Sequence, residues 1–435
     1  MSRAVGAAPR SLRMNSIVTA SSGVIRGLFG FASSLVITRS LSTGARGTYS
    51  FTTNATGLIV MLASIGVPSA LTRAKARGQA STDELYRASW LLGMGMGAVA
   101  SVLFLLVYVL NPGQLFDGVE PLAALIVALI VPLMIVLTYW TVVAYLDDRL
   151  VEFGVATVTA SALMLAAAAA LALVGALSGL SIVGVWAVTT LVPVVVLLRK
   201  SQIRGAWGTR GTARQLLRFG IRANVATVAL ILTWRLDVFF VKGIRGSIEL
   251  AYYVVAVGVA EIILQVAVSF RIALTPLQGN TEDRDRLVET IAVVTRLTLG
   301  VGLMAALTSI LLARPFVTVL FGDRYSPSTP ALIWLVPGVV ALVAQGPIID
   351  YLLAENALSG VTRITLSGLA VNTLLNVVLM QRYNFVVAAA SSTLAYAATF
   401  FACLILFSRR SAMPMSILLI PRRADLRRVT RRKKS

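Results

Sequence analysis

The apolar residues of this chain fall in long blocks that are separated by short polar joints. Each block is about the length that a helix needs to cross a ~30 Å hydrocarbon core. The strands of a membrane barrel would instead alternate apolar and polar residues over roughly ten positions, and the blocks show no such alternation. The pattern therefore predicts an all-α polytopic membrane protein.

Twelve blocks are predicted to be membrane spans, and the even number places both chain ends on one side of the membrane. The predicted spans are Met14–Arg39, Tyr49–Thr72, Ala88–Leu110, Pro121–Leu146, Leu150–Leu177, Ser181–Leu198, Phe219–Val241, Leu250–Thr275, Leu287–Ala313, Ala331–Ala354, Val361–Met380 and Phe385–Phe407.

Basic residues mark one side of this set of spans. The formal net charge is +21, and the arginines and lysines concentrate at alternate joints, in the stretch Arg199–Arg218 and after residue 408. In a soluble protein this charge would suggest nucleic acid, whereas at the ends of spans it marks the cytoplasmic face. We therefore expect cytoplasmic termini and no nucleic-acid partner. The basic run Arg422–Lys434 is expected to lie on anionic lipids of the inner leaflet.

The second half of the chain repeats landmarks of the first half in the same order. Six spans followed by six, both sets starting inside, predict two pseudo-symmetric six-helix lobes around a central cavity. Such lobes can rock against each other, as alternating access requires. The paired landmarks are Arg39 with Lys242, Tyr49 with Tyr252, Leu71-Thr72 with Leu274-Thr275, Leu115-Phe116 with Leu320-Phe321, and Pro132 with Pro337. The predicted division is a cytoplasmic N-terminus 1–13, a lobe 14–198, a basic linker 199–218, a lobe 219–408 and a tail 409–435.

Residue types exclude several kinds of chemistry. The chain has no histidine, and its single cysteine, Cys403, lies inside the last apolar block. A disulfide framework, a Cys/His metal site and a Ser-His or Cys-His catalytic set cannot be built from these residues. The joints are too short for an external catalytic domain. We therefore expect a transporter without a cofactor, not an enzyme, and we interpret the first block as a retained span.

Small residues predict close helix packing. Gly23 and Gly27 are four residues apart, as are Gly93 and Gly97. In lipid, such pairs let the backbones of two helices approach closely.

Charged residues inside apolar spans are the candidate functional residues, because they are costly there unless they face a cavity or a partner. Arg26 stands near the middle of the first span, beside Gly23, Gly27 and Gly30. A guanidinium at this depth suits a phosphate or pyrophosphate, which it can grip with paired hydrogen bonds. The alternative is a structural role, with Arg26 bound to backbone carbonyls or to an acid of the other lobe.

The second lobe carries the remaining candidates. Arg235 and Glu261 lie at similar depth in adjacent antiparallel spans, where they form either a structural ion pair or a substrate site. Asp237 can pair with Arg235 or Lys242. Arg271 and Arg296 are candidates for the mouth of the inner cavity. Arg222 and Asp350 lie near span ends, so their side chains are expected to reach the interface.

Three segments together resemble the polysaccharide and O-unit flippases of the multidrug, oligosaccharidyl-lipid and polysaccharide exporter superfamily. The resemblance covers nearly the whole chain. The segments are Gly44-Ala45-Arg46-Gly47-Thr48-Tyr49 with Gly66-Val67-Pro68-Ser69-Ala70-Leu71, then Arg235-Leu236-Asp237 with Ala251-Tyr252-Tyr253, and finally Leu320-Phe321-Gly322 with Pro337-Gly338, Asn372, Asn376 and Tyr383-Asn384.

This resemblance implies a flippase of the bacterial cytoplasmic membrane that turns a polyprenyl-pyrophosphate-linked oligosaccharide from the inner to the outer leaflet. It also implies a cationic central cavity, which agrees with the choice of Arg26 and Arg235. Whether the protein acts alone or beside polymerase and ligase partners stays open. Two other functions stay open at this point. One is an ion-coupled multidrug exporter of the same fold, for which Glu261 is the deep carboxylate. The other is a membrane-embedded glycosyltransferase or glycan polymerase, which the short joints disfavour.

Overall fold

The computed structural model describes residues 10–64, 66–111, 113, 115–147, 150–199, 206–222, 225–274, 284–355 and 357–415, and the regular elements in these ranges are all helical. The α-helices are α1 (Arg10–Ser40), α2 (Thr43–Ala63), α3 (Val67–Ala76), α4 (Thr82–Leu110), α5 (Pro121–Leu146), α6 (Leu150–Leu173), α7 (Gly179–Leu198), α8 (Arg210–Arg222), α9 (Val225–Leu274), α10 (Arg284–Leu311), α11 (Ala313–Phe321), α12 (Ser328–Ala354), α13 (Leu358–Leu379) and α14 (Val386–Ser411).

Ten of the described helices are long and apolar enough to cross a membrane. The pair α2 and α3 adds an eleventh span that is bent by 45°. Helix α9 contains two arms, because its backbone leaves helical geometry at Gly246. With α9 counted as two arms, the helices correspond to the twelve predicted spans, and α5 coincides with the predicted Pro121–Leu146. The predicted fold class is confirmed.

Gly246 turns α9 back on itself. Its φ of 84° lies in the left-handed region, which glycine adopts without strain. In one continuous helix, Arg235 and Glu261 would stand about 39 Å apart at 1.5 Å per residue. Their side chains are instead 3.2 Å apart. The arms on either side of Gly246 are therefore antiparallel neighbours, as the sequence predicts.

The structure corrects two predicted boundaries. The second span is not continuous, because Gly66 has a φ of 63° and Pro68 follows in the first turn of α3. The seventh span does not begin at Phe219, since that residue lies in α8, a separate helix whose buried residues include Leu216. Helix α8 has apolar residues on one face and basic residues elsewhere. Because Phe219 belongs to that apolar face, the sequence pattern wrongly assigned it to the start of the next span.

The chain divides into two compact units, Met1–Asn224 and Val225–Ser435. Within the first unit, α1 packs on α6, α4 on α5, α5 on α7, and α6 on α7. The second unit repeats these pairs, with α9 on α13, α10 on α12, α12 on α14, and α13 on α14. The repeated landmarks of the sequence therefore correspond to a repeated helix arrangement.

Close approach of α4 and α5 depends on Gly93 and Gly97. A Cβ at Gly97 would stand 2.3 Å from the Cα of Pro132, and one at Gly93 would stand 2.9 Å from the Cα of Val136. These distances confirm the packing predicted for this pair. The same prediction is wrong for Gly23 and Gly27, where an added Cβ would meet nothing within 4 Å.

Large apolar side chains cover much of the outer surface. Leu110 and Leu173 are 72% and 88% exposed. A soluble monomer rarely leaves such side chains in contiguous patches. Hydrocarbon as the surrounding solvent accounts for them, and the protein is a multi-pass membrane protein.

Candidate functional site

Arg26 lies in the apolar part of α1, and its side chain is exposed. It follows Ser22 by one helical turn, and Ser22 lies against Gly154 of α6, 2.9 Å from the position of an added Cβ. Gly23, Gly27 and Gly30 lie beside Arg26, and we call them the glycine face. A Cβ added at any of these three glycines would meet no atom of another residue within 4 Å. Arg26 therefore lies one turn from the α1–α6 contact, beside a helix face with open space next to it.

The Arg235–Glu261 ion pair links the two arms of α9. Nη1 of Arg235 lies 3.2 Å from Oε1 of Glu261, and the two side chains are 33% and 44% exposed. Since both are partly exposed, either member can be reached by a ligand that competes for it. Pairing of these residues, which the sequence predicts, is a fact of the structure, and their contact with substrate stays a prediction.

Asp237 is buried on the same arm, with 3% of its surface exposed. Its carboxylate accepts hydrogen bonds from the hydroxyl of Tyr253, on the other arm, and from the backbone N–H of Val238 at 2.8 Å. Lys242, which the sequence offers as a partner of Asp237, is fully buried and donates to the hydroxyl of Ser247 across the Gly246 turn.

A polar network extends from Asp237 into α13 and α14. Ser392 of α14 lies beside the phenols of Tyr253 and Tyr396. The amide of Asn372 donates to Oγ of Ser392 at 3.2 Å, and the amide of Asn376 donates to Oδ1 of Asn372 at 3.0 Å. Oδ1 of Asn376 has no hydrogen-bond partner among the described residues. We call Asp237, Tyr253, Asn372, Asn376, Ser392 and Tyr396 the α9–α14 polar cluster.

The one carboxylate of this cluster accepts from a phenol and a backbone N–H, and the serine and asparagine side chains continue the network away from it. A carboxylate inside a span is a candidate for binding a proton or a cation. Among the described residues, no group of three or more His, Cys, Asp or Glu side chains could hold a metal ion. Asp237 is thus the candidate exchange group of the cluster.

The remaining predicted site residues are distributed as follows. Arg296 is on α10 with 3% of its surface exposed, so it is packed within the second unit and does not line an open mouth. Arg271 lies on the second arm of α9, but its side chain is outside the described residues, as is that of Arg222. Asp350 is exposed in the last turns of α12, in agreement with the expected position near a span end.

Arg46 stands three residues before Tyr49, the predicted start of the second span, and the sequence analysis gave it no role. Arg46 lies in the first turn of α2 and is buried, with its guanidinium donating to Thr38 at 2.8 Å, to Ser34 at 3.2 Å and to Ser50. These hydroxyls tie the end of α1 to the start of α2. The signal that could have found this site is the run of Ser and Thr at helical spacing on both sides of the joint.

The Arg235–Glu261 pair gives a prediction that separates structure from binding. Arg235→Ala and Glu261→Ala are each expected to lower the free energy of unfolding by about 0.5–1 kcal/mol, since the pair is partly exposed. The exchanged variant Arg235→Glu with Glu261→Arg is expected to recover most of that loss. Thermal unfolding of the four purified proteins in one detergent measures the coupling. If the exchanged variant instead loses as much stability as the two single variants added together, a direct interaction between Arg235 and Glu261 is contradicted.

Comparisons with known proteins agree with this architecture. The chain matches the family model described as "Polysaccharide biosynthesis protein" over residues 12–281. It also matches the MatE family model over residues 225–378. No curated protein matches the sequence.

Solved structures with the same fold are transporters. The lipid II flippase MurJ in an inward closed conformation has a TM-score of 0.69 at 12% identity, covering 92% of this chain and 89% of that one. An inward-facing multidrug resistance MATE family transporter has a TM-score of 0.61 at 14% identity, covering 92% and 98%. A Vibrio cholerae MATE transporter has a TM-score of 0.57 at 13% identity, covering 93% and 99%.

The chain is thus a multi-pass membrane protein with the fold that a lipid II flippase and MATE family transporters share. The match over residues 12–281 covers more than half of the chain. The chain therefore belongs to the polysaccharide biosynthesis protein family.

Proposed function

We propose that this protein flips a polyprenyl-pyrophosphate-linked oligosaccharide from the inner to the outer leaflet of the bacterial cytoplasmic membrane, by alternating access, for the synthesis of a surface polysaccharide. Both termini face the cytoplasm in this proposal. The basic tail rests on anionic lipids, and polysaccharide polymerase and ligase act on the delivered glycan.

The observation that carries the proposal is the position of Arg26. A guanidinium in an apolar helix is costly when it faces hydrocarbon. Arg26 is exposed beside the glycine face, which leaves room for a ligand group. A pyrophosphate fills such a place well, because its oxygens accept paired hydrogen bonds from the planar guanidinium. The apolar carrier chain can remain in lipid while the charged head crosses.

Family membership supports the same cargo. The matched model describes polysaccharide biosynthesis, and one of the structurally similar proteins is a lipid II flippase. No chemical step is required for the proposed transport, since the glycan only changes leaflet.

A reconstituted system tests the proposal. Unilamellar vesicles with a fluorescent lipid-linked oligosaccharide in both leaflets are exposed to a membrane-impermeant reagent that destroys only the outer pool. Vesicles with the protein are expected to lose nearly all fluorescence, and protein-free vesicles about half. Loss of only half in vesicles that contain folded protein would contradict the proposal.

An ion-coupled multidrug exporter is the second candidate function, and the buried carboxylate of Asp237 is the observation that favours it. Such exporters exchange a proton or sodium ion for their cargo at a carboxylate within the membrane. Glu261 is engaged by Arg235, whereas Asp237 is held by a phenol and a backbone N–H. Asp237 is therefore the better exchange group of the two.

Expression in a drug-sensitive host distinguishes the two functions. If the protein is the proposed flippase, we expect no resistance to cationic dyes from the wild type, from Asp237→Asn or from Glu261→Gln. Resistance of the wild type that is lost in Asp237→Asn but kept in Glu120→Gln, a control at an exposed residue outside the spans, would favour the exporter. The readout is the growth-inhibiting dye concentration at matched membrane levels of the proteins.

A further inference from the structure

A groove lies between α3 and α8 in the first unit, away from Arg26. Its volume is about 280 Å³, several times the ~30 Å³ that one water occupies in the liquid. It is formed by the end of α3, the turn into α4 and one face of α8. The lining residues are Ala70, Arg73, Ala74, Arg77, Gln79, Ala80, Thr212, Gln215, Leu216 and Phe219.

The end of α3 sets the positions of the two groove arginines. Gly78 has a φ of 62°, and it ends α3 with hydrogen bonds from Gly78 N–H to the carbonyl of Lys75 and from Gln79 N–H to that of Ala74. This pair of bonds is a Schellman motif, which only a residue tolerant of positive φ supports. Arg73 and Arg77 are four residues apart and therefore share one helix face.

Phe219 of α8 fixes the orientation of Arg73. The Cζ of Arg73 lies 4.3 Å from the centroid of the Phe219 ring. Stacking on the ring leaves the N–H edges of a guanidinium free to donate in its own plane, which is the geometry that phosphate oxygens accept. The N–H groups of Arg73 are thus held at the wall of the groove, where they can donate to a ligand.

The charge of the groove is positive. Two arginines and two glutamines supply donors, and no Asp or Glu is among the lining residues. Glu84, which is not a lining residue, accepts a hydrogen bond from the hydroxyl of the lining residue Thr212. Leu216 and Phe219 add an apolar wall, which suits a phosphate that carries an organic chain better than a bare ion.

We infer that this groove binds a phosphate group, with Arg73 and Arg77 as its ligands and Phe219 as the residue that positions Arg73. The phosphate can come from an anionic lipid headgroup or from a soluble phosphate compound, which present the same chemistry. The inference does not rest on the proposed cargo, because the groove lies outside the spans that carry Arg26 and Arg235.

Native mass spectrometry of the full chain in detergent tests the inference with three probes, phosphatidylglycerol, inorganic pyrophosphate and diacylglycerol. We expect Arg73→Gln with Arg77→Gln to weaken binding of phosphatidylglycerol, pyrophosphate or both by at least about tenfold. Arg214→Gln with Arg218→Gln is the matched control. It removes the same charge from exposed residues of α8 that do not line the groove, and a change below about threefold is expected.

Weaker binding of phosphatidylglycerol in the Arg73→Gln with Arg77→Gln variant indicates that the phosphate comes from a lipid headgroup, and weaker binding of pyrophosphate indicates a soluble phosphate compound. Equal weakening in the two double variants, or equal binding of diacylglycerol, which carries no phosphate, would overturn the inference. Phe219→Leu keeps the charges of Arg73 and Arg77, and it tests phosphate binding by the groove if the Arg73→Gln with Arg77→Gln variant does not fold. It is expected to weaken binding about two- to fivefold, and an unchanged affinity would contradict the role of the stacked ring.

Discussion

Arg26→Ala is expected to slow flipping of the lipid-linked oligosaccharide by about 30- to 150-fold in reconstituted vesicles. The reason is the loss of a paired, charge-assisted contact to the pyrophosphate, worth about 2–3 kcal/mol. Because Arg26 is exposed and a Cβ added at Gly23, Gly27 or Gly30 would meet nothing within 4 Å, folding should be unaffected. Arg26→Lys keeps the charge without the planar fork, so an intermediate rate is expected.

Two measurements make this prediction decisive. Thermal unfolding of the variant should match that of the wild type, which separates a binding role from the structural alternative. Arg382→Ala, at an exposed arginine outside the spans, is the control and should flip at the wild-type rate. A wild-type rate from folded Arg26→Ala protein would remove Arg26 from the site while leaving the proposed cargo testable by the wild-type assay.

Gly97→Ala is expected to destabilise the first unit strongly. The added Cβ would lie 2.3 Å from the Cα and 2.7 Å from the Cβ of Pro132. A backbone atom in the middle of α5 cannot move aside alone, so α4 and α5 must separate along their contact. Overpacking of this kind costs about 1–3 kcal/mol, and Gly97→Leu should cost more. The measurement is the midpoint of thermal unfolding, together with the yield of monodisperse protein.

Gly95→Ala provides the control for Gly97→Ala, since it lies two residues away on the same helix and its added Cβ would meet nothing within 4 Å. This variant should be as stable as the wild type or slightly more stable, because alanine favours helix by about 1 kcal/mol over glycine. If Gly95→Ala and Gly97→Ala have the same midpoint of thermal unfolding, close packing of α4 on α5 is not the cause of any loss of stability.

Sequence alone was sufficient for the all-helical fold and the repeated arrangement of the long helices, but not for the break between α2 and α3 or for the separate helix α8. Runs of apolar residues with the length of a bilayer have few alternative explanations, which is why the predicted Pro121–Leu146 coincides with α5. The Arg235–Glu261 contact was also predictable, because a short turn between two spans fixes which residues share a depth.

Local packing was harder to predict from the same sequence. Two glycine pairs with identical spacing, Gly23/Gly27 and Gly93/Gly97, differ because only the second meets a neighbouring helix. Spacing describes a helix face but not what covers it. The sequence likewise did not reveal that hydroxyls hold the guanidinium of Arg46, or that Arg296 is buried and not at an open mouth, because a charge pattern does not show what surrounds a charge.

The Gly246 hairpin also bears on how the protein enters the bilayer. A lone span that carries Arg235 and Asp237 would be expensive to insert, since one such charge at the centre of a helix costs about 2.5–3.5 kcal/mol on translocon scales. Glu261 and Tyr253 arrive on the very next stretch of chain and neutralise or hydrogen-bond these groups. We therefore expect the two arms of α9 to leave the translocon as a pair and not one by one.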